Sequence, residues 1–189
     1  MGWLGRYIAN DDPYVAAANF VAVVIGWNQP FYPLYLWAIL GAEGALVASP
    51  DMLSAIAFLA VPAVTRRWSL GGRALLPVLG IVNTLVCLFL LGEASGVALF
   101  LLPCAMLAAM LFRWRERFVM LGLASLPLVV WLLTRGRCGA GLGGATEDQA
   151  ASLLTMNAVS VGCLMVFLGW VMAGINRVVD RPGSGGHCV

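Results

Sequence analysis

Lysine is absent from this chain, histidine occurs once, and charged residues of either sign are scarce. All eleven basic residues are arginines, and the only histidine is His187, close to the C-terminus. Without lysine, Schiff-base chemistry such as that of a retinal pigment is excluded. A single histidine excludes a haem held by two histidines, a histidine-rich metal site and a buried imidazole proton relay. The net charge of +2 is too small for a nucleic-acid-binding protein.

What the chain does contain is apolar residues. Charged residues make up 11% of the sequence and hydrophobic residues 61%, with a mean hydropathy of +0.92, whereas a soluble domain carries about 25% charged residues. Several apolar runs approach the roughly 20 residues that span a lipid bilayer. We therefore predict an all-α, polytopic membrane helix bundle, with one integral membrane domain over 1–175 and a flexible cytoplasmic tail over 176–189. The N-terminal residues lack the apolar core of a cleavable signal peptide, so the first span is expected to be retained.

Polar turns divide the apolar sequence into six stretches, which predict six transmembrane helices. Asp12 followed by Pro13 is a helix-start signal, and Thr146 with Gln149 three residues later forms a capping-box pattern before the last stretch. The expected spans are 14–40, 51–65, 75–91, 96–112, 118–134 and 150–175.

The first span is unusual because the stretch Trp27–Trp37 interrupts it. Pro30 and Pro33 each remove a backbone donor and clash with the preceding turn of a helix. The whole segment of roughly 27 residues would be about 40 Å long at 1.5 Å per residue, which is long for one crossing. We expect either one kinked, tilted span or two short half-spans that form a re-entrant pair. If the segment crossed twice, the bundle would have seven spans and an outside N-terminus.

Arginine-rich turns determine the predicted orientation. The turns at Arg66–Arg73 and Arg113–Arg117 are expected in the cytoplasm under the positive-inside rule, together with both termini. The turns at Glu43 and Glu93 contain no arginine and are expected outside, and the loop over Arg135–Arg137 is the one exception to this alternation. The sequence thus predicts a multi-pass protein of a bacterial inner membrane with cytoplasmic N- and C-termini.

A few polar side chains within these apolar stretches form a candidate ligand site. Polar groups in a membrane bundle usually face its interior, and aromatic walls with a few polar groups are typical of small-ligand sites. The alternative is that the amides only bond neighbouring helices, at about 0.6 to 2 kcal/mol each, and that the glutamate is exposed to water. The predicted ligand-binding residues are Trp27, Asn28, Gln29, Tyr32, Asn83, Glu93 and Asn157.

No catalytic constellation can be assembled from the remaining residues. One histidine in the tail provides neither a Ser/His/Asp nor a Cys/His set, and the glycine-rich stretch 139–144 lacks the lysine of a phosphate loop. The five cysteines show no CxxC spacing, so we assign no disulfide and no metal. We expect neither an enzyme nor a bound cofactor.

Two nearby segments carry a resemblance to a known class of membrane region. Leu91–Pro103 reads LGEASGVALFLLP, and Phe112–Arg117 reads FRWRER. These segments resemble the six-span membrane sensor regions that precede nucleotide cyclase and histidine kinase domains in bacteria. There, a short outer turn with a glycine is followed by an apolar helix and a basic inner turn. The resemblance implies a sensor-type module, and we expect no catalytic output domain after Ile175.

The sequence leaves two functional hypotheses. The first is a small sensor-type or accessory protein of the inner membrane that acts through a membrane protein partner or as a homo-oligomer. The alternative is a small-solute transporter or channel in which the Trp27–Trp37 break lines the pathway, because transporters often place binding sites at broken helices.

Overall fold

A computed structural model of the protein describes residues 2–47, 49, 51–139, 141 and 145–180, with residues 43, 45, 47 and 51 described by their backbone alone. Its regular secondary structure is helical throughout the described part, as the composition predicts. Short 3-10 turns cover Gln29–Phe31, Glu93–Ser95, Val97–Phe100 and Trp114–Glu116. The α-helices are α1 (Trp3–Ile8), α2 (Pro13–Asn28), α3 (Tyr32–Val47), α4 (Asp51–Arg67), α5 (Ser69–Leu91), α6 (Leu101–Met110), α7 (Arg117–Thr134) and α8 (Glu147–Val179).

Both predicted helix starts are confirmed. The Asp12 Oδ1 atom accepts a hydrogen bond from the Tyr14 backbone N–H at 3.0 Å, and Pro13 occupies the first helical position. At α8, the Gln149 N–H donates to Thr146 Oγ1 at 3.3 Å, and the Thr146 N–H donates to Gln149 Oε1 at 2.9 Å. These bonds satisfy backbone donors that have no partner within a helix.

The interruption of the first apolar segment takes the form of a 3-10 turn. The α-helical pattern ends at Asn28, tightens through Gln29–Phe31 around Pro30, and resumes at Tyr32. The backbone keeps right-handed helical angles across this junction, so no open loop is formed. A sharper change comes at Gly41, where φ is 78° and ψ is −171°, a conformation that suits glycine. The predicted polar turn begins at this glycine.

Helix α5 begins earlier than the sequence predicts. The expected start was near residue 75, but Ser69 is already helical, so only Trp68 separates α4 from α5. Gly72 permits this tight turn because a Cβ atom there would lie 2.7 Å from Thr65 Cα. The last helix continues through Val179, beyond the predicted end at Ile175, and residues 181–189 of the expected tail lie outside the described residues.

Three of the described helical stretches are long and apolar enough to cross a membrane, namely Ser69–Leu91, Trp114–Thr134 and Glu147–Val179. This length and composition are typical of a membrane protein. Helix length does not support the expected six spans: α2 has 16 residues and α4 has 17, and the apolar stretch Val97–Met110 is shorter still. A single straight crossing needs about 20 residues.

Five helices form a ring, and a sixth lies outside it. Helix α2 packs against α4 and α8, α4 packs against α5, α5 against α6, and α6 against α8, and α2 also contacts α5 across the ring. Helix α7 packs mainly on the outside of α6, and only 6% of its most apolar window is buried, compared with 39% for α5. Helix α7 therefore contributes little to the buried interior of the bundle.

Polar contacts join the helix termini at two ends of the bundle. At the first, which we call the arginine end, Arg113 Nη2 lies 3.2 Å from Asp12 Oδ1, and Arg66 donates to the Arg6 and Tyr7 carbonyls. At the opposite end, Gln149 Nε2 donates to the Ile39 carbonyl at 3.3 Å. A buried apolar cluster accompanies the contacts at each end. The clusters include Ala18, Val21, Leu111 and Leu168 at the arginine end, and Leu36, Leu91, Val97 and Leu153 at the opposite end.

Candidate functional site

A cavity of about 1500 Å³ extends between these two clusters, inside the ring of helices. Its walls come from α2, α5, α6 and α8, with additional residues from α1, α3 and α4. Most of the lining is apolar or aromatic, including Phe20, Phe58, Leu107 and Phe167. Concave apolar cavities between the helices of a bundle are common ligand sites.

Five of the seven predicted ligand-binding residues line this one cavity, although they come from separate parts of the chain. The 3-10 turn and the adjoining helix ends contribute four of them, and α5 contributes the fifth, because the ring packing brings α5 against α2. The five residues are Trp27, Asn28, Gln29, Tyr32 and Asn83. Their role in ligand binding remains a prediction.

Two of these side chains bond neighbouring helices. Gln29 Nε2 donates to Ser54 Oγ at 2.9 Å, which connects the 3-10 turn to α4. The Tyr32 hydroxyl donates to Asn157 Oδ1 at 3.3 Å, which connects α3 to α8. Gln29 and Tyr32 therefore form the interhelical hydrogen bonds that the sequence analysis gave as the alternative to ligand binding.

The amides of Asn28 and Asn83 differ from the others because neither forms a side-chain hydrogen bond with any described residue. Asn28 is exposed and Asn83 is half-buried, and both lie on the cavity wall. Each amide offers two N–H donors and a carbonyl acceptor. In apolar surroundings an unpaired amide is costly, so a partner of complementary polarity in the cavity is favoured.

Asn157 lies beside the cavity, where its buried side chain connects α8 to the turn after α5. Its side chain is fully buried, and Nδ2 donates to the Ser95 carbonyl at 2.8 Å. The Ser95 hydroxyl in turn donates to the Gly92 carbonyl at 2.6 Å. Gly96 adopts a positive φ of 74°, and a Cβ atom there would collide with Leu154. Asn157 therefore helps to close the opposite end, and the Tyr32 hydroxyl is the group that connects it to the cavity.

Glu93 is not brought into this set. Its Oε1 atom accepts hydrogen bonds from the backbone N–H groups of Arg137 and Cys138, at 3.0 and 3.2 Å, and its own N–H donates to the Gly139 carbonyl. The carboxylate holds the loop after α7 at the opposite end of the bundle. Burial, and secondarily the charge of Glu93, raise the pKa of the Cys138 thiol above its usual value.

Arg73 is the polar residue whose position the sequence reasoning missed. It is 3% exposed, and its guanidinium forms a bidentate pair with Glu116, with Nη2–Oε1 at 2.7 Å and Nη1–Oε2 at 2.9 Å. Nη1 also donates to the Leu111 carbonyl at 2.8 Å, and the guanidinium carbon lies 5.4 Å from the centre of the Phe112 ring. The sequence placed Arg73 in an exposed turn. A helix beginning at Ser69 would have put it on the buried face of α5.

Other cavity residues that the prediction omitted have no distinctive sequence signal. Thr84, Thr155 and Ser160 each donate a hydroxyl hydrogen bond to a carbonyl one turn earlier in their own helix. Among the described residues, those that line the cavity include no Asp, Glu, Arg or His. The described residues also contain no group of three or more potential metal ligands of the His, Cys, Asp and Glu type.

Comparison of the chain with family models, with curated proteins and with solved structures gave no match.

Proposed function

We propose that this protein is a sensor-type or accessory protein of a bacterial inner membrane that binds an uncharged, largely apolar ligand in its central cavity. The observation that carries the proposal is the cavity itself, with the unpaired amides of Asn28 and Asn83 on an otherwise apolar wall. Ligand occupancy would be communicated to a membrane protein partner or to a second copy of the chain.

The composition of the cavity wall argues for an uncharged ligand. A charged group transferred from water into apolar surroundings needs a counter-ion or a dense set of hydrogen bonds, and the described lining offers no Asp, Glu, Arg or His. Two free amides instead match a hydroxyl, carbonyl or amide group on an apolar body. The volume of about 1500 Å³ exceeds the range of about 300 to 1,000 Å³ typical of small-ligand sites, so a lipid-sized molecule fits.

The opening of the cavity favours entry from the lipid. Trp27 is 73% exposed and Val159 is 61% exposed, and both are lining residues at the margin of the cavity. Exposed aromatic and aliphatic side chains at a cavity margin suit contact with acyl chains rather than with water.

The membrane arrangement proposed with this function has six crossings, both termini in the cytoplasm and the arginine end at the cytoplasmic face. Its support is that the turns with Arg66 and Arg113 meet the N-terminal segment at one end, as alternating crossings require. The segment from Pro13 to Leu40 would cross as one interrupted helix, and shorter helices would cross with local thinning of the bilayer. A C-terminal reporter that reads as periplasmic would refute this arrangement.

The binding proposal is tested with a photoactivatable long-chain alcohol and the matching carboxylic acid, applied to purified protein in lipid nanodiscs. We expect the alcohol to label cavity peptides from α2, α5 and α8, and the charged acid to label them several-fold less. Asn83→Leu removes one polar partner, and a hydrogen bond worth about 1 kcal/mol predicts a loss of about fivefold in labelling affinity.

A matched control for this experiment is Ser125→Ala on α7, where the hydroxyl donates only to the Gly122 carbonyl within its own helix. We expect this variant to bind the alcohol as the wild type does. Labelling spread evenly over α7 and the cavity helices, and unchanged in Asn83→Leu, would show that the probe reports only lipid exposure and would overturn the proposal.

A transporter for small uncharged solutes is the second candidate, because the 3-10 turn Gln29–Phe31 borders the cavity. Interrupted helices are where many transporters place their binding sites. Proteoliposome flux that is lost in Asn28→Ala and retained in Glu93→Gln would favour transport, since Glu93 lies in the loop contacts and away from the cavity lining. Alcohol binding without solute flux in the wild-type protein would favour the sensor-type function.

A further inference from the structure

A second and smaller cavity lies on the outside of the ring at the arginine end. It has a volume of about 380 Å³ and is formed between the beginning of α2 and the last turns of α8. Small residues, including Ala16 and Gly174, form part of its lining, and Phe20 and Trp170 lie along it with their ring centres 6.3 Å apart. We call this cavity the α2–α8 cleft.

The α2–α8 cleft has one charged residue among those that line it, Arg177. Its side chain is exposed and forms no salt bridge with any described residue, including Asp180 in the following turn. It lies in the last turn of α8, where the helix dipole favours a positive charge. Asp12, the acid next to Pro13 at the mouth of the cleft, is already paired with Arg113 at 3.2 Å.

The cleft therefore combines an apolar groove with one free guanidinium at its end. The groove runs along two helices that the membrane arrangement places in the bilayer, and the guanidinium lies where the arginines of the bundle gather. A guanidinium binds phosphate oxygens in a bidentate geometry. The apolar lining would have no complementary partner in a free phosphate ion, whereas an acyl chain would fill it.

We propose that the α2–α8 cleft binds one anionic phospholipid, with its phosphate on Arg177 and an acyl chain lying along Phe20 and Trp170. The site differs from the central cavity in its charge, since the central lining has no arginine among the described residues. The proposal shares the membrane location with the proposed function but is independent of ligand binding in the central cavity.

Native mass spectrometry of the full chain tests this proposal, with phosphatidylglycerol and phosphatidylcholine of identical acyl chains as probes. We expect one tightly bound phosphatidylglycerol, with a preference over phosphatidylcholine of about fivefold, as one arginine near a membrane surface supplies. Arg177→Gln should reduce this preference to near unity, and Arg177→Lys should retain most of it. Gly174→Leu should weaken both lipids, because the added side chain fills the groove.

Arg115→Gln is the matched control, because Arg115 is exposed, forms no salt bridge with a described residue and lies outside the cleft. It should keep the full lipid preference. An equal loss in Arg177→Gln and Arg115→Gln would show a diffuse electrostatic effect and overturn the site, as would a wild-type protein without preference. Complete competition by inorganic phosphate would likewise overturn it in favour of a simple anion site.

Discussion

The two ends of the bundle are held together by different kinds of interaction. At the arginine end, charged side chains join helices: Arg73 pairs with Glu116, and Arg113 pairs with Asp12. At the opposite end the interhelical contacts use neutral groups, such as the Asn157 amide on the Ser95 carbonyl. Glu93, an acid at that end, bonds backbone N–H groups of a loop. The Arg73–Glu116 contact requires two parallel hydrogen bonds between the side chains. The Asn157 contact requires the backbone of the Ser95 turn to lie close to α8.

This difference also separates the two cavities. The α2–α8 cleft lies at the arginine end and includes a free guanidinium, which suits an anionic molecule. The central cavity extends between the ends, where the wall is neutral and the available polar groups are amides. Under the two proposals, the bundle would hold two molecules of different charge at separate sites.

The largest expected effect is at the arginine end, from Arg73→Met. The substitution leaves the Glu116 carboxylate and the Leu111 carbonyl without their partner. Breaking a buried pair from one side costs about 3 to 5 kcal/mol, and the partial exposure of Glu116 places this case near about 3 kcal/mol. Thermal unfolding in detergent measures the loss. Arg115→Met, in the same turn as Glu116, should change stability by less than about 0.5 kcal/mol, and equal loss in both variants would show that the buried pair has no special weight.

A somewhat smaller loss is expected at the opposite end from Gly96→Ala. The residue has a φ of 74°, and the new Cβ atom would collide with Leu154 of α8. The unfavourable conformation and the repacking together should cost about 2 kcal/mol of unfolding free energy. Gly162→Ala on α8 is the control, because a Cβ atom there meets no atom within 4 Å and α-helical alanine is favourable. A Gly96→Ala protein as stable as the wild type would show that this turn is freely adjustable.

Asn157→Ala tests the neutral contact itself. The Ser95 carbonyl would lose a donor and the Tyr32 hydroxyl an acceptor, which should cost about 1 to 2 kcal/mol, as for other interhelical side-chain bonds in membranes. Ser160→Ala, also on α8, removes a hydroxyl that bonds only within its helix and should be nearly neutral. If Asn157→Ala lowers stability as much as Arg73→Met does, the contrast between charged and neutral ends fails.

The smallest effect concerns the thiol at the opposite end. Glu93→Gln keeps an acceptor for the backbone N–H groups but removes the negative charge that helps to raise the pKa of Cys138. The thiol pKa should fall, so maleimide labelling at a fixed pH near 8 should accelerate about twofold, because only the thiolate reacts. Peptide mass spectrometry follows the rate, with Glu147→Gln as the control. A slower reaction in Glu93→Gln would mean that the carboxylate does not act through its charge.

The part of the candidate site that could be predicted from sequence was the polar interruption of an apolar segment. Asn28 and Gln29 stand out because they lie beside Pro30 in a run that is otherwise apolar, and that signal is local. Asn83 stands out as another polar residue in an apolar run, and it lines the same cavity. Glu93 lies away from the cavity lining because its carboxylate accepts hydrogen bonds from the loop after α7, whose position no local sequence pattern indicates. Arg73 was missed because the predicted start of α5 was too late by more than one turn.

The number of crossings could be predicted only from hydropathy, and helix length supports three. Hydropathy gives the length of an apolar stretch of sequence, whereas the structure gives the length of each continuous helix. The two lengths differ wherever an apolar stretch contains a break. The 3-10 turn at Gln29–Phe31 divides the first apolar segment into two helices too short to be counted alone. Composition therefore predicts one transmembrane span for these residues, whereas the structure contains two shorter helices.

The sequence alone determined the membrane class, the helical secondary structure, the starts of α2 and α8 and the location of the proline interruption. Each of these depends on composition or on residues within a turn of one another, where hydropathy and capping chemistry act directly. Only the tertiary structure decided that Arg73 meets Glu116 and that Asn157 meets Ser95. It also placed the amides of Asn28 and Asn83 on one cavity wall without a partner among the described residues. Such contacts depend on the rotation and relative height of separate helices, which packing across the whole bundle determines.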